Sequence, residues 1–165
     1  MLGRQKDNPI VLPAAKGKYL NVAGMMTRKN KFYFEVLETT FNSDRIIMFI
    51  DRFVEQTVKR TVVILDNSPI DKSKKFMAKI EEWKVKDVLI YFLPPYSPEL
   101  NLIEILWKRI KYQWLDFDAY KSFKYLKENF NFVLNDFKVK YNIKFLPLLS
   151  SKNNIMSLLF FETLA

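Results

Sequence analysis

"VLIYFLPPYSPELNLIEILW", residues 88–107, decides how this chain is read. Its first six residues form an apolar, partly β-branched run, the pattern of a buried strand. Three prolines come next, Pro94, Pro95 and Pro98, and the last stands near the start of an amphipathic helix, a position where the missing N–H costs nothing. On a helical wheel Ile103, Trp107, Ile110 and Trp114 share one face, and Glu104 lies at its border with Lys108 and Lys111. A carboxylate at such a border needs either solvent or a cation, because an unpartnered buried charge costs several kcal/mol. An ordinary Glu104–Lys108 pair at i, i+4, worth about 0.3 kcal/mol, is one answer. A bound metal is another. The loop "LPPYSPEL" reads as a rigid strand-to-helix connection, and a polyproline ligand for an aromatic groove is its alternative.

Upstream, "KYLNVAGMM" (18–26) and "KFYFEVLET" (31–39) flank the polar "TRKN" and read as two strands of a hairpin. The stretch "NSDRIIMFIDRFVEQTVKR" carries a Ser43 or Asp44 cap and an apolar stripe at Ile46, Ile47, Phe49, Ile50, Phe53 and Val54, which predicts a helix. "TVVIL" (61–65) is an unbroken β-branched run, the mark of a strand covered on both faces. "KFMAKIEEWKVK" reads as a second short helix. Beyond Asp116, apolar residues at Tyr120, Phe123, Leu126, Phe130, Val133 and Phe137 recur in steps of three and four, predicting another. Hairpin, alternating helix and strand, then helices make an α/β domain with a mixed sheet. The expected domain covers residues 1–145, and 146–165 is expected to be a C-terminal tail.

Composition narrows the chemistry. The 165 residues are 49% hydrophobic and carry a formal net charge of +9, which suits one core and a polyanionic partner, nucleic acid or an acidic membrane surface. With no cysteine and no histidine, thiolate zinc sites and Ser-His or Cys-His nucleophiles are excluded. Any metal must be held by oxygen, which favours Mg2+ or Mn2+ on carboxylates. No run approaches the roughly 20 apolar residues of a membrane span, and the N-terminus lacks a signal-peptide core, so a cytoplasmic protein without membrane partners is expected.

Asp66 comes just after the carboxyl end of the strand at 61–65, where ligands collect in open α/β sheets. "DNSP" is equally a turn sequence. The lysines and arginines of 108–144, interleaved with aromatics, are either a nucleic-acid surface or a solvated helix face.

Taken together, "VVILDNSPIDKSK" (62–74) and "FLPPYSPELNLIEILWKRIK" (92–111) resemble the second and third catalytic blocks of the DDE transposases, in the bacterial insertion-sequence branch related to mariner elements. Positions 66 and 104 are separated much as that branch separates its second and third acids, and the likeness runs from about residue 10 to the "YNIKF" at 141–145. The resemblance implies a ribonuclease H-like mixed sheet flanked by helices, with three acids converging on two divalent ions, Mg2+ or Mn2+. Asp66 and Glu104 would be the second and third ligands. Lys111, and with it Lys108, would contact DNA phosphate. Asn67, Pro95, Tyr96, Pro98, Asn101 and Trp107 match the structural frame of the motif, with Tyr96 and Trp107 as packing residues. The implied activity is DNA cleavage and strand transfer in transposition, on transposon ends and target DNA, and a homodimer is a further implied partner.

Three positions depart from the family's pattern. Its first acid lies on an opening strand ahead of the hairpin, and nothing before residue 18 resembles that strand; Asp7 is the nearest acid. The first strand and the preceding helix-turn-helix are therefore expected to be missing, which would leave the Asp66 strand without one neighbour. Asp71 stands where the family usually has histidine, and Leu102 replaces the proline of "LNPIE". The leading expectation is thus a truncated transposase catalytic domain, inactive alone. The alternatives are a non-cutting basic module that binds DNA or a transposase, the second half of a split transposase, and a bare structural domain.

Overall fold

A computed structural model describes residues 18–66, 73–94 and 101–145, together with the backbone of 154–164. The expectations for Asp7, Asn67, Asp71, Pro95, Tyr96 and Pro98 lie outside the described residues. Leu20–Met26 (β1) and Phe32–Leu37 (β2) pair antiparallel across the "TRKN" turn, with Met26 opposite Phe32. Ser43–Glu55 forms α1, capped by Asn42, whose side chain accepts from Arg45 N, rather than by Ser43 or Asp44. Thr61–Leu65 (β3) and Val88–Phe92 (β4) run parallel in register and are joined through Lys74–Val85 (α2). Leu102–Arg109 (α3) continues into a π-helical turn, Ile110–Trp114, and Phe123–Asn135 (α4) comes after a 3-10 turn. Asn101 caps α3, and Ser122 caps α4 with its side chain accepting from Tyr125 N. Ser122 is fully extended, so the single long helix predicted from Tyr120 is broken there and ends at Asn135.

The largest difference from expectation lies at the other end of the chain. Asn154–Leu164, expected to be part of a tail, forms β5 in the middle of the sheet, whose order is β2-β1-β5-β3-β4. It runs antiparallel to β1 and parallel to β3, so the gap expected beside the Asp66 strand is filled. The mixed α/β architecture is compatible with a ribonuclease H-like fold.

Strand alternation sorts the core into two layers. Ala23 and Met25 of β1, Val63 and Leu65 of β3, and Val88 of β4 pack with α1 and α2. Leu20, Val22 and Met26 pack with α3 and α4 on the other face. Residues Val62 and Ile64 are only half-buried, so β3 is fully covered on one face rather than both.

Gly24 sets how closely α3 lies on this second face. A Cβ there would stand 2.8 Å from Phe32 Cε2 and 3.0 Å from both Ile103 Cδ1 and Trp107 Cζ2. Gly24→Ala therefore forces the Phe32 ring aside and crowds Ile103 and Trp107 of α3, and we expect a loss of about 1–3 kcal/mol, the usual range for overpacking. Urea unfolding monitored by tryptophan fluorescence measures it; unchanged stability would mean that Gly24 is not closely packed.

Candidate carboxylate site and its surroundings

Asp66 stands one residue past β3, where the backbone ladder still holds: Leu93 N donates to Leu65 O at 2.8 Å. The alternation that turns Val63 and Leu65 toward α1 and α2 carries Asp66, continued by one residue, to the face of Val62 and Ile64. That is the face covered by α3. Asp66 is half-buried and its Oδ1 is shut off from solvent.

Glu104 occupies the first turn of α3, where the helix dipole favours a carboxylate, and its backbone N donates to Asn101 O at 3.1 Å. It is half-buried, and its neighbours Ile103 and Trp107 are fully packed against Gly24. The sheet register then relates the two acids. Gly24 is level with Leu159 of β5, and Leu158 is level with Leu65 of β3. The first turn of α3 and Asp66 thus share one level of the sheet and one face. From β1 to β3 is two strand spacings, about 10 Å, and α3 lies over β5 between them.

Electrostatics ties Glu104 to Lys111 rather than to Lys108. Lys111 is half-buried; burial pushes its ammonium below the usual lysine range, and the Glu104 carboxylate pulls it back up. Lys108 is exposed, and no Glu104–Lys108 ion pair forms among the described residues. Lys111 lies in the π turn Ile110–Trp114, in which Leu115 N donates to Ile110 O at 2.9 Å. One extra residue in the turn rotates the side chains downstream of it, and such bulges recur at functional sites. Nothing in "IKYQW" announces it.

Trp107 is a packing residue as the sequence implies, 1% exposed and edge-on to Phe32 at 5.8 Å between ring centroids. Asn101, 1% exposed, is the N-cap residue of α3 without a capping hydrogen bond from its side chain. Among the described residues no three acids gather into a metal-holding group. The acid of β5, Glu162, is paired in register with Val22, and the residues of β5 level with the end of β3 are Leu158 and Leu159. The central strand completes the sheet without adding a carboxylate at the level of Asp66. Among the described residues no helix is long and apolar enough to cross a membrane.

Comparison with known families gives a match to a DDE superfamily endonuclease model over residues 3–127 of the 165. No curated protein matches the chain.

Proposed function

The chain belongs to the DDE superfamily endonucleases, and on that premise we propose that it is the catalytic domain of an insertion-sequence transposase whose Asp66 and Glu104 are two of the oxygen ligands for divalent metal. The reading is carried by the register: both acids stand at one level and on one face of the sheet. Hard carboxylate oxygens at a strand end and in a helix's first turn suit Mg2+ or Mn2+. We place the two carboxyl groups about 4–8 Å apart, within reach of a shared ion. Asp66 and Glu104 would hold divalent metal, which would supply activation of the attacking oxygen and stabilisation of the leaving one in phosphoryl displacement. Asp66, partly enclosed, supplies the fixed donor. Glu104 supplies the second, and Lys111 beside it contacts the phosphate of the strand being cut, with Lys108 on the solvent side. The substrate is DNA, as transposon ends and target, met in the cytoplasm. Two copies acting together suit a reaction that joins two ends.

Two carboxylates hold a metal loosely, and a misplacement of about 1 Å costs on the order of a hundredfold in rate. Among the described residues no third acid joins Asp66 and Glu104. The chain alone therefore binds DNA without cutting it. The test is Mg2+- or Mn2+-dependent nicking of supercoiled DNA by the wild type, Asp66→Ala and Glu104→Ala. No nicking by any of the three is the expected result. Nicking by the wild type that both substitutions abolish would show that a third ligand is already present, with Asp7 and Asp71 the first to examine.

A further inference from the structure

The hairpin turn "TRKN" and the segment "KVKYNIK" (138–144) lie 113 positions apart between Asn30 and Ile143, yet they are clamped together. Asn30 Nδ2 donates to Ile143 O and Asn30 Oδ1 accepts from Ile143 N, both at 2.9 Å. Each loop is fixed internally as well. Asn30 N donates to Thr27 O at 2.9 Å, and Asp136 O accepts from the N–H groups of Val139, Lys140 and Tyr141. Asn30 and Lys138 hold left-handed backbones, φ 56° and 77°. Asparagine tolerates this; lysine does so at a cost, and such strain is kept where the surrounding contacts enforce it.

What the clamp displays is positive charge. Lys29, Lys31, Lys138, Lys140 and Lys144 are exposed, and none forms an ion pair among the described residues. By contrast Lys121, Lys124 and Lys127 face Asp118, Glu128 and Glu38. Aromatic rings hold part of the patch in place: Lys140 Nζ stands 5.5 Å from the Phe132 ring and 5.4 Å from Tyr141, and Arg28 lies over Phe145. A groove of about 320 Å³ continues from it, edged by Thr27, Lys31, Tyr33, Thr57 and Lys59.

The patch and the carboxylates point apart. Met26, the last residue before the turn, is level with Ser157 and through it with Ile64, and the turn runs on from there toward the level of Thr61 at the start of β3. Asp66 continues β3 in the opposite direction, past Leu65.

We propose that the two clamped loops are a docking surface for the phosphate backbone of duplex DNA, at the end of the hairpin that points away from Asp66. Preordered loops lose little entropy on binding, and cations outside ion pairs release counterions from DNA without first breaking one. The choice of DNA over another polyanion rests on the family reading.

The experiment is fluorescence anisotropy of a short labelled duplex with the full chain, over a series of salt concentrations. Lys138→Gln/Lys140→Gln/Lys144→Gln is compared with Lys121→Gln/Lys124→Gln/Lys127→Gln, which removes the same charge from α4 and the turn before it. The first variant should lose at least about tenfold in affinity, and its slope of log K against log salt should flatten by about 2–3. The second should bind nearly as the wild type does, and a Lys→Arg version of the first should restore binding. Equal losses in both Gln variants, an unaffected patch variant, or a wild type that does not retain the duplex would each overturn the proposal. Duplex affinity without divalent metal reads the docking surface and Mn2+ uptake reads the carboxylate site, so the failure of one is distinguishable from the failure of the other.

Discussion

A chain ending at residue 153 is expected to lose its cooperative thermal transition and to aggregate. Strand β5 separates the hairpin from the parallel pair, and removing it strips the ladder from one side of β1 and one side of β3 together. Each net hydrogen bond contributes about 1 kcal/mol, so losses along two strands approach the whole stability of a typical domain, about 5–15 kcal/mol. The exposed edges are also worse than ordinary ones. Leu20, Val22, Ala23, Met25 and Met26 of β1, and Val63 and Leu65 of β3, are buried, and opening the slot presents apolar strands to other copies. A synthetic peptide of residues 154–164 should recover part of the native circular dichroism, because the slot specifies its partner by register and direction. A truncated chain that melts and elutes as the full one does would show that β5 is not in the sheet.

That strand also marks where sequence reading stopped. The hairpin, α1, β3, α2 and β4 are set by local signals: period-two and period-3.6 patterns bounded by a polar turn, a capping residue or prolines. "NIMSLLFFETL" carries an apolar run without a hairpin partner beside it, and its two partners lie more than 90 and 130 positions upstream. Nothing local specifies a pairing that distant. The same holds for the Asn30–Ile143 clamp. Among the candidate acids, residue chemistry left Asp66 between turn and ligand, and Glu104 between a Lys108 pair and a metal. The register puts both at one level, and of the two lysines that the helical wheel sets beside Glu104 it is Lys111 on which its carboxylate acts. Helix periodicity offers both, and packing, which half-buries Lys111 and leaves Lys108 exposed, chooses between them.

The second large effect concerns metal. If Asp66 and Glu104 share one ion, either alanine substitution removes half of the available carboxylate set, and direct donors matter at least as much as the supporting residues whose loss costs about 10–100-fold in affinity. Neither substitution should unfold the protein. If the two carboxylates stand within reach of one ion, they repel one another without it, and removing one relieves that like-charge contact. Thermal unfolding without metal should thus be unchanged or slightly higher for Asp66→Ala and Glu104→Ala, while the stabilisation that Mn2+ gives the wild type should vanish in both.

Direct titration of Mn2+ by electron paramagnetic resonance, on the wild type and these two variants, addresses the shared site without relying on catalysis. The wild type should take up Mn2+ weakly, and both variants should lose that uptake together. Binding that persists unchanged in either variant would contradict a shared Asp66–Glu104 metal site.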